Sequence, residues 1–176
     1  MSNVDIAIIN YECGNIHSAR KTFELALSEL NISGNVSVTN EPEVIFKADK
    51  LVLPGVGAFT ECFNKLKSIK GLRESITERV HDNGIPILGI CIGLQLMANK
   101  GYENIESEGL GWISGSVENL HPNDKSLKIP HMGWNEVNFI KNDGDFSDLS
   151  GEDFYFVHSY YFNAKNTDNI LATTNY

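Results

Sequence analysis

The first half of the chain alternates short apolar runs with segments whose apolar residues recur at helical spacing. Val4–Ile9 and residues 50–53 are apolar runs of strand length, and glycine-containing turns follow both. Helical spacing follows the first run, at Ile16, Ala19, Phe23, Leu27 and Leu30. A second helical pattern has Leu72, Ile76 and Val80 and ends before Asn83-Gly84. Two further short strands, 36–38 and 86–88, complete the alternation. Strands that are apolar on both faces predict a mostly parallel α/β sheet with helices on both sides, up to about residue 99.

The pattern changes beyond Gly111, where strand-like runs follow one another without a long helical segment between them. The predicted strands are 112–117, 136–140, 154–157 and 170–174, and residues 141–151 are rich in Asn, Asp and Gly and are predicted to form a loop. Neither a linker nor a repeat separates this part from the first. We therefore expect one domain over residues 1–176 with a β-rich C-terminal extension.

Cys91 has the most informative surroundings in the chain. It lies in Gly89-Ile90-Cys91-Ile92-Gly93, directly after the apolar strand 86–88. A nucleophile on a glycine-flanked turn from a strand into a helix is exposed at the top of the sheet, and the helix N-terminus favours its thiolate. The N–H of Ile92 would point at a developing oxyanion. The alternative is a buried structural cysteine, which packs like a small apolar residue.

A second glycine-rich turn, Pro54-Gly55-Val56-Gly57, follows the strand 50–53. Glycines let main-chain N–H groups approach a ligand closely, so this turn could supply a second oxyanion donor. The alternative is an ordinary turn between a strand and a helix.

Cysteine nucleophiles need a base, and none of the chain's histidines is singled out by its sequence context. The five are His17, His81, His121, His131 and His158. His158 is the best placed, because it follows an apolar strand, although a histidine there is more often hydrogen-bonded in the wall of a site. Cys13 and His17 have helical spacing for a shared metal but lack further ligands, so we expect no metal and no cofactor.

Composition narrows the class of protein. The chain has 176 residues, 41% hydrophobic, with a formal net charge of −9, three cysteines and no apolar run long enough to span a membrane. The acidic balance argues against nucleic acid as a partner. With no signal-like N-terminus, these features predict a soluble cytoplasmic protein.

Five segments together resemble the class I (triad) glutamine amidotransferases, and among them the glutaminase subunits of imidazole glycerol phosphate synthase. The resemblance runs from about residue 4 to the end of the sequence. Its motifs are Asn10-Tyr11-Glu12-Cys13-Gly14-Asn15, Leu53-Pro54-Gly55-Val56-Gly57-Ala58-Phe59, Gly89-Ile90-Cys91-Ile92-Gly93-Leu94-Gln95, Pro130-His131-Met132-Gly133-Trp134-Asn135 and Val157-His158-Ser159-Tyr160-Tyr161. This family has a flavodoxin-like α/β fold.

The resemblance implies that Cys91 attacks the carboxamide of L-glutamine, with oxyanion N–H groups from Ile92 and from Val56 or Gly57. It also implies five residues that hold or line the substrate, namely Gln95, Glu103, His158, Ser159 and Tyr160. Glutamate and ammonia are the products. In the family a (β/α)8-barrel cyclase subunit, bound as a heterodimer partly through 130–135, uses the ammonia to form imidazole glycerol phosphate and AICAR in histidine biosynthesis.

The sequence departs from the family pattern at two places. Asn10 and Glu12 replace an acid and a glycine, and the family's His-Pro-Glu segment, which completes the triad after a final strand, has no counterpart. Three interpretations follow: a C-terminally truncated glutaminase subunit, a cyclase-binding module that does not hydrolyse glutamine, or an enzyme with His158 as surrogate base. A paralogous subunit for amination of surface sugars is a further alternative.

Overall fold

The computed structural model describes residues 3–141, 146 and 149–176. These residues form two compact units, the first ending at Met97 and the second beginning at Ala98. Within the described residues, no helix has the length and apolar composition that crossing a membrane requires.

The first unit is a parallel sheet with five helices. Its strands are β1 (Val4–Ile9), β2 (Gly34–Thr39), β3 (Lys50–Gly55) and β4 (Ile87–Cys91). Its helices are α1 (Ile16–Glu29), α2 (Pro42–Lys47), α3 (Phe59–Ser68), α4 (Leu72–His81) and α5 (Ile92–Gln95). The strand order is β2-β1-β3-β4, and every neighbouring pair is parallel. The predicted parallel α/β sheet is thus confirmed.

Both faces of the central strands are buried. On one face, Ile6 and Ile8 of β1 pack with a cluster that includes Phe23 and Leu27 of α1. Ala7 and Ile9 alternate with them on the opposite face and are fully buried. Strand β3 also pairs with β4 in parallel register up to Gly55 and Cys91, which places the carboxyl ends of these two strands next to each other.

The second unit consists of short strands. They are β5 (Ala98–Gly101), β6 (Ser107–Glu108), β7 (Ile113–Asn119), β8 (His131–Glu136), β9 (Asn138–Phe139), β10 (Asp153–His158), β11 (Tyr160–Ala164) and β12 (Ala172–Thr173). They form a sheet of order β11-β7-β5-β6 and two antiparallel pairs, β10-β8 and β12-β9. The predicted β-rich character of this part is confirmed.

Several predicted boundaries were wrong. The predicted strand 136–140 is interrupted at Val137, because Val137 exchanges main-chain hydrogen bonds with Gly151 and Glu152 while β8 and β9 pair with different strands. The predicted strand 170–174 is reduced to β12 after a 3-10 turn at Thr167–Asn169. The helices α2 and α3 and the strands β5, β6, β8 and β11 were not predicted. Of the predicted loop 141–151, residues 142–145, 147 and 148 lie outside the described residues.

Candidate active site

Cys91 occupies a sharp turn between β4 and α5. It is the last residue of β4 and the N-cap of α5, with φ 53° and ψ −117°. A non-glycine residue with positive φ is strained, and such strain is retained where the surrounding structure fixes the backbone. Cys91 is exposed, whereas Cys13 and Cys62 are buried. The strand-turn-helix geometry predicted from the sequence is present, and the nucleophilic role of Cys91 stays a prediction.

The glycines beside Cys91 are required by close packing. A Cβ on Gly89 would lie 2.6 Å from the Cα of Leu94, in α5. A Cβ on Gly93 would overlap the carbonyl oxygen of Leu53, in the neighbouring strand β3. The turn can therefore form only because both positions lack a side chain.

The end of β3 lies beside the elbow. Gly55 pairs with Cys91 in the parallel register of β3 and β4, so the loop that continues through Val56 and Gly57 starts next to the candidate nucleophile. Gly57 has φ +128°, a conformation that favours glycine. Two side-chain donors reach this loop: the hydroxyl of Tyr11 donates to the carbonyl of Pro54 at 2.6 Å, and the thiol of Cys62 donates to that of Val56 at 3.6 Å.

Burial sets the protonation state of these two donors. It raises the pKa of the Tyr11 hydroxyl well above its ordinary value, and the nearby Cys62, Cys13 and Cys91 add to the effect. Burial likewise raises the pKa of the Cys62 thiol, and the nearby Cys13 adds to the effect. Both groups therefore keep their protons at neutral pH and remain hydrogen-bond donors.

The remaining residues named from the resemblance are divided between the two units. Gln95 ends α5 in the first unit, and Glu103 follows β5 in the second. His158, Ser159 and Tyr160 form the connection from β10 to β11 in the second unit.

His158 belongs to a hydrogen-bonded chain of side chains. Its Nδ1 lies 2.9 Å from the carbonyl oxygen of Tyr160, so Nδ1 carries the proton. Its Nε2 lies 3.1 Å from Nδ1 of His131, and the Nε2 of His131 lies 3.4 Å from the amide nitrogen of Asn135. One proton arrangement satisfies every contact: both rings are neutral and protonated at Nδ1. The lone pair of His158 Nε2 is then occupied by His131, which disfavours His158 as a base.

His131, one of the five histidines considered as a base, is the buried partner of His158 in this chain of hydrogen bonds. It is 3% exposed, and its ring stacks on Phe156 with centroids 4.7 Å apart. Burial lowers the pKa of His131, and the neighbouring His158 lowers it further. No local signal marks His131 as buried, because the apolar residues of 131–136 are Met132 and Trp134, and apolar alternation would have placed His131 on the exposed face.

The Cys13 and His17 pairing is not assembled into a site. Cys13 is buried while His17 is exposed. In the part of the chain that the structure describes, no three His, Cys, Asp or Glu residues are grouped as metal ligands.

Comparison with known protein families shows the class to which the chain belongs. Residues 11–175 match the family described as "Glutamine amidotransferase class-I". The chain belongs to the class I glutamine amidotransferase family.

The relatives within that family share one name. The protein named "Imidazole glycerol phosphate synthase subunit HisH" from Bradyrhizobium diazoefficiens is 46% identical to this chain, and the match covers 98% of this chain and 82% of that protein. The relative of the same name in Agrobacterium fabrum is 43% identical, with 97% and 81% covered. In Ruegeria pomeroyi the identity is 45%, with 97% and 80% covered.

A solved structure has the same fold. The chain described as "Crystal structure of glutamine amidotransferase" has a TM-score of 0.66 at 18% identity, covering 94% of this chain and 78% of that chain. The α/β fold expected from the resemblance is the class I glutamine amidotransferase fold.

Replacement of Gly93 by alanine tests the packing of the elbow. Gly93→Ala forces the new Cβ into the Leu53 carbonyl, so we expect a loss of about 3 kcal/mol in the free energy of unfolding, measured by urea denaturation. Gly84→Ala is the control, because its Cβ would meet nothing within 4 Å and only the positive φ of 66° costs about 1 kcal/mol. Equal losses in the two variants would contradict the packing argument.

The buried neutral His131 predicts a pH-dependent stability. Because its pKa is lowered on folding, the unfolded chain binds the proton more readily, and stability is lost as the pH falls below about 6.5. The loss is at most about 1.4 kcal/mol for each pH unit. We expect His131→Gln to flatten the dependence of the melting temperature on pH between 7.5 and 5.5. His17→Gln, at an exposed position, should keep the wild-type slope; an unchanged slope in His131→Gln would refute the assignment.

Proposed function

We propose that this chain is the glutaminase subunit of an imidazole glycerol phosphate synthase. It hydrolyses L-glutamine to glutamate and ammonia, and a cyclase partner uses the ammonia to form imidazole glycerol phosphate and AICAR in histidine biosynthesis. The relatives that share this name support the proposal. The observation that carries the chemistry is an exposed cysteine with positive φ at the start of α5, beside the loop that ends β3.

The reaction follows from that arrangement. The thiolate of Cys91 adds to the side-chain carbonyl carbon of glutamine, and the C–S bond forms as the carbonyl electrons move to oxygen. The N–H groups of Ile92 and of Val56 or Gly57 stabilise this oxyanion, each contributing about 3–4 kcal/mol. The proton that the Cys91 thiol lost to solvent is returned by solvent to the amide nitrogen, the C–N bond breaks as the thioester forms, and ammonia leaves. Water then adds to the thioester, and glutamate departs as the C–S bond breaks.

The substrate-holding residues are proposed from the family resemblance. Gln95, Glu103, Ser159 and Tyr160 hold or line the glutamine. His158 lines the same pocket without acting as a base, because both of its ring nitrogens are engaged. Its bond to the Tyr160 carbonyl supports the conformation of the Ser159-Tyr160 connection.

The partner is proposed to be a (β/α)8-barrel cyclase that docks on an exposed apolar face of β8 and β10. Met132 and Trp134 of β8 lie opposite Val157 and Tyr155 of β10. These four side chains are 61%, 72%, 57% and 55% exposed, respectively, and we call them the apolar face. A contiguous exposed patch with Trp and Tyr is typical of a protein interface.

The subunit would act in the cytoplasm, where a reducing environment keeps Cys91 a thiol.

Glutamate release tests the proposed reaction. The chain is mixed with a cyclase subunit and its nucleotide ligand, and glutamate is measured with glutamine as substrate. We expect turnover that falls at least about 1000-fold in Cys91→Ser, because the alcohol is a much weaker nucleophile at this turn. Absent turnover in the wild type, with cyclase binding retained, would contradict the glutaminase and favour the cyclase-binding module.

Trp134→Ala tests the docking face. Truncation of a central aromatic residue costs about 2 kcal/mol or more, so the dissociation constant for the cyclase subunit should rise at least about tenfold. Ile105→Ala is the control, since Ile105 is 62% exposed but lies outside the apolar face. Titration calorimetry measures both variants. Equal binding by Trp134→Ala and wild type would remove this face from the interface.

A further inference from the structure

Two buried side chains hold the loop beside Cys91 by its main-chain carbonyls. We call residues 54–57 the oxyanion loop. Tyr11, fully buried, donates from its hydroxyl to the Pro54 carbonyl, and Cys62, fully buried in the first turn of α3, donates from its thiol to the Val56 carbonyl. Tyr11 precedes Pro54 by 43 residues and Cys62 follows Val56 by six, so both donors lie outside the loop that they hold.

Nothing within the oxyanion loop fixes the peptide between Val56 and Gly57. The side chain of Val56 is 63% exposed, and Gly57 has no side chain and a φ of +128°. A Cβ on Gly57 would meet only the sulfur of Cys62, at 3.6 Å. Glycine makes the rotation of this peptide inexpensive, so a specific partner is needed to select one orientation.

The hydrogen bond from Cys62 to the Val56 carbonyl selects one orientation of the peptide between Val56 and Gly57. In a trans peptide the carbonyl of one residue and the N–H of the next point in opposite directions. Because the Val56 carbonyl is directed at Cys62, the Gly57 N–H is directed away from α3. Gly55, where the loop begins, pairs with Cys91.

We infer that Cys62 is a positioning residue for glutamine hydrolysis: its thiol holds the Val56 carbonyl and thereby aims the Gly57 N–H at the oxyanion formed on the substrate of Cys91. The inference rests on the proposed function. Cys62 does not touch the substrate and forms no covalent intermediate. Burial raises the pKa of Cys62, so the group stays a thiol and keeps donating throughout the neutral pH range.

The test compares two reactions of Cys91 in the full chain. Acylation by p-nitrophenyl acetate passes through a tetrahedral oxyanion, and its rate is measured from the release of p-nitrophenolate. Alkylation by iodoacetamide forms no oxyanion, and its rate is measured by mass spectrometry. Both need the same thiolate, so the ratio of their rate constants reports the oxyanion donors alone. The rates measured in Cys91→Ser are subtracted as background.

We expect Cys62→Ala to lower the acylation-to-alkylation ratio about tenfold, less than outright loss of a donor, because the N–H remains but is misaligned. Cys62→Ser restores a donor and should return the ratio to within about threefold of wild type. Ser75→Ala is the matched control, since it removes a buried hydroxyl that donates to the Leu72 carbonyl in α4. Its ratio should be unchanged.

An unchanged ratio in Cys62→Ala, or an equal loss in Ser75→Ala, would overturn the inference and reduce Cys62 to a packing residue. If Cys62→Ala does not fold, Cys62→Val fills the space without a donor and takes its place against Cys62→Ser. Failure of the proposed function has a different signature. In that case, wild-type acylation does not exceed the Cys91→Ser background, whatever the residue at position 62.

Discussion

The close approach of α5 to the end of β3 is the constraint on which the candidate site depends. The main chain at Gly93 packs directly on the Leu53 carbonyl, and a Cβ on Gly55 would lie 2.6 Å from the Gly93 nitrogen. With no side chains between them, the start of the helix and the end of the strand meet backbone to backbone. This contact holds Cys91 at its positive φ and sets its thiol beside the oxyanion loop.

Buried polar donors extend that rigidity outward from the elbow. Tyr11 and Cys62 are fully buried, and each donates to a main-chain carbonyl at or just beyond the end of β3. A core that supplies these two bonds aligns the main-chain donors of the oxyanion loop. The second unit follows the same logic at His131, which is buried and neutral between two hydrogen-bond partners.

The elbow and the parallel sheet could be predicted from the sequence because their signals are local. An apolar run followed by a cysteine with a glycine two residues before and after it predicts a turn with close backbone packing. The structure has that packing at Gly89 and Gly93. The Tyr11 and Cys62 contacts could not be predicted, because each joins residues by a hydrogen bond that the backbone pattern does not encode. The same limit applies to His131 and His158, which are 27 residues apart in the chain and meet only through the register of β8 and β10.

The break at Val137 shows a different limit of sequence reasoning. The strand-like run 136–140 predicted one strand, yet the backbone changes partners within it, so pairing rather than propensity decides the boundary. Side chains of strand β8 alternate between two faces of the strand. Met132 and Trp134 lie on the apolar face, while His131 and Asn135 lie on the side of His158.

The central claim is that the elbow makes Cys91 the nucleophile toward glutamine. The most direct measurement is labelling of the chain with a chloroketone analogue of glutamine, followed by peptide mass spectrometry of all three cysteines. We predict one adduct per chain, on Cys91, that excess glutamine prevents from forming. Labelling that spreads over Cys13 and Cys62, or that glutamine does not slow, would contradict the claim.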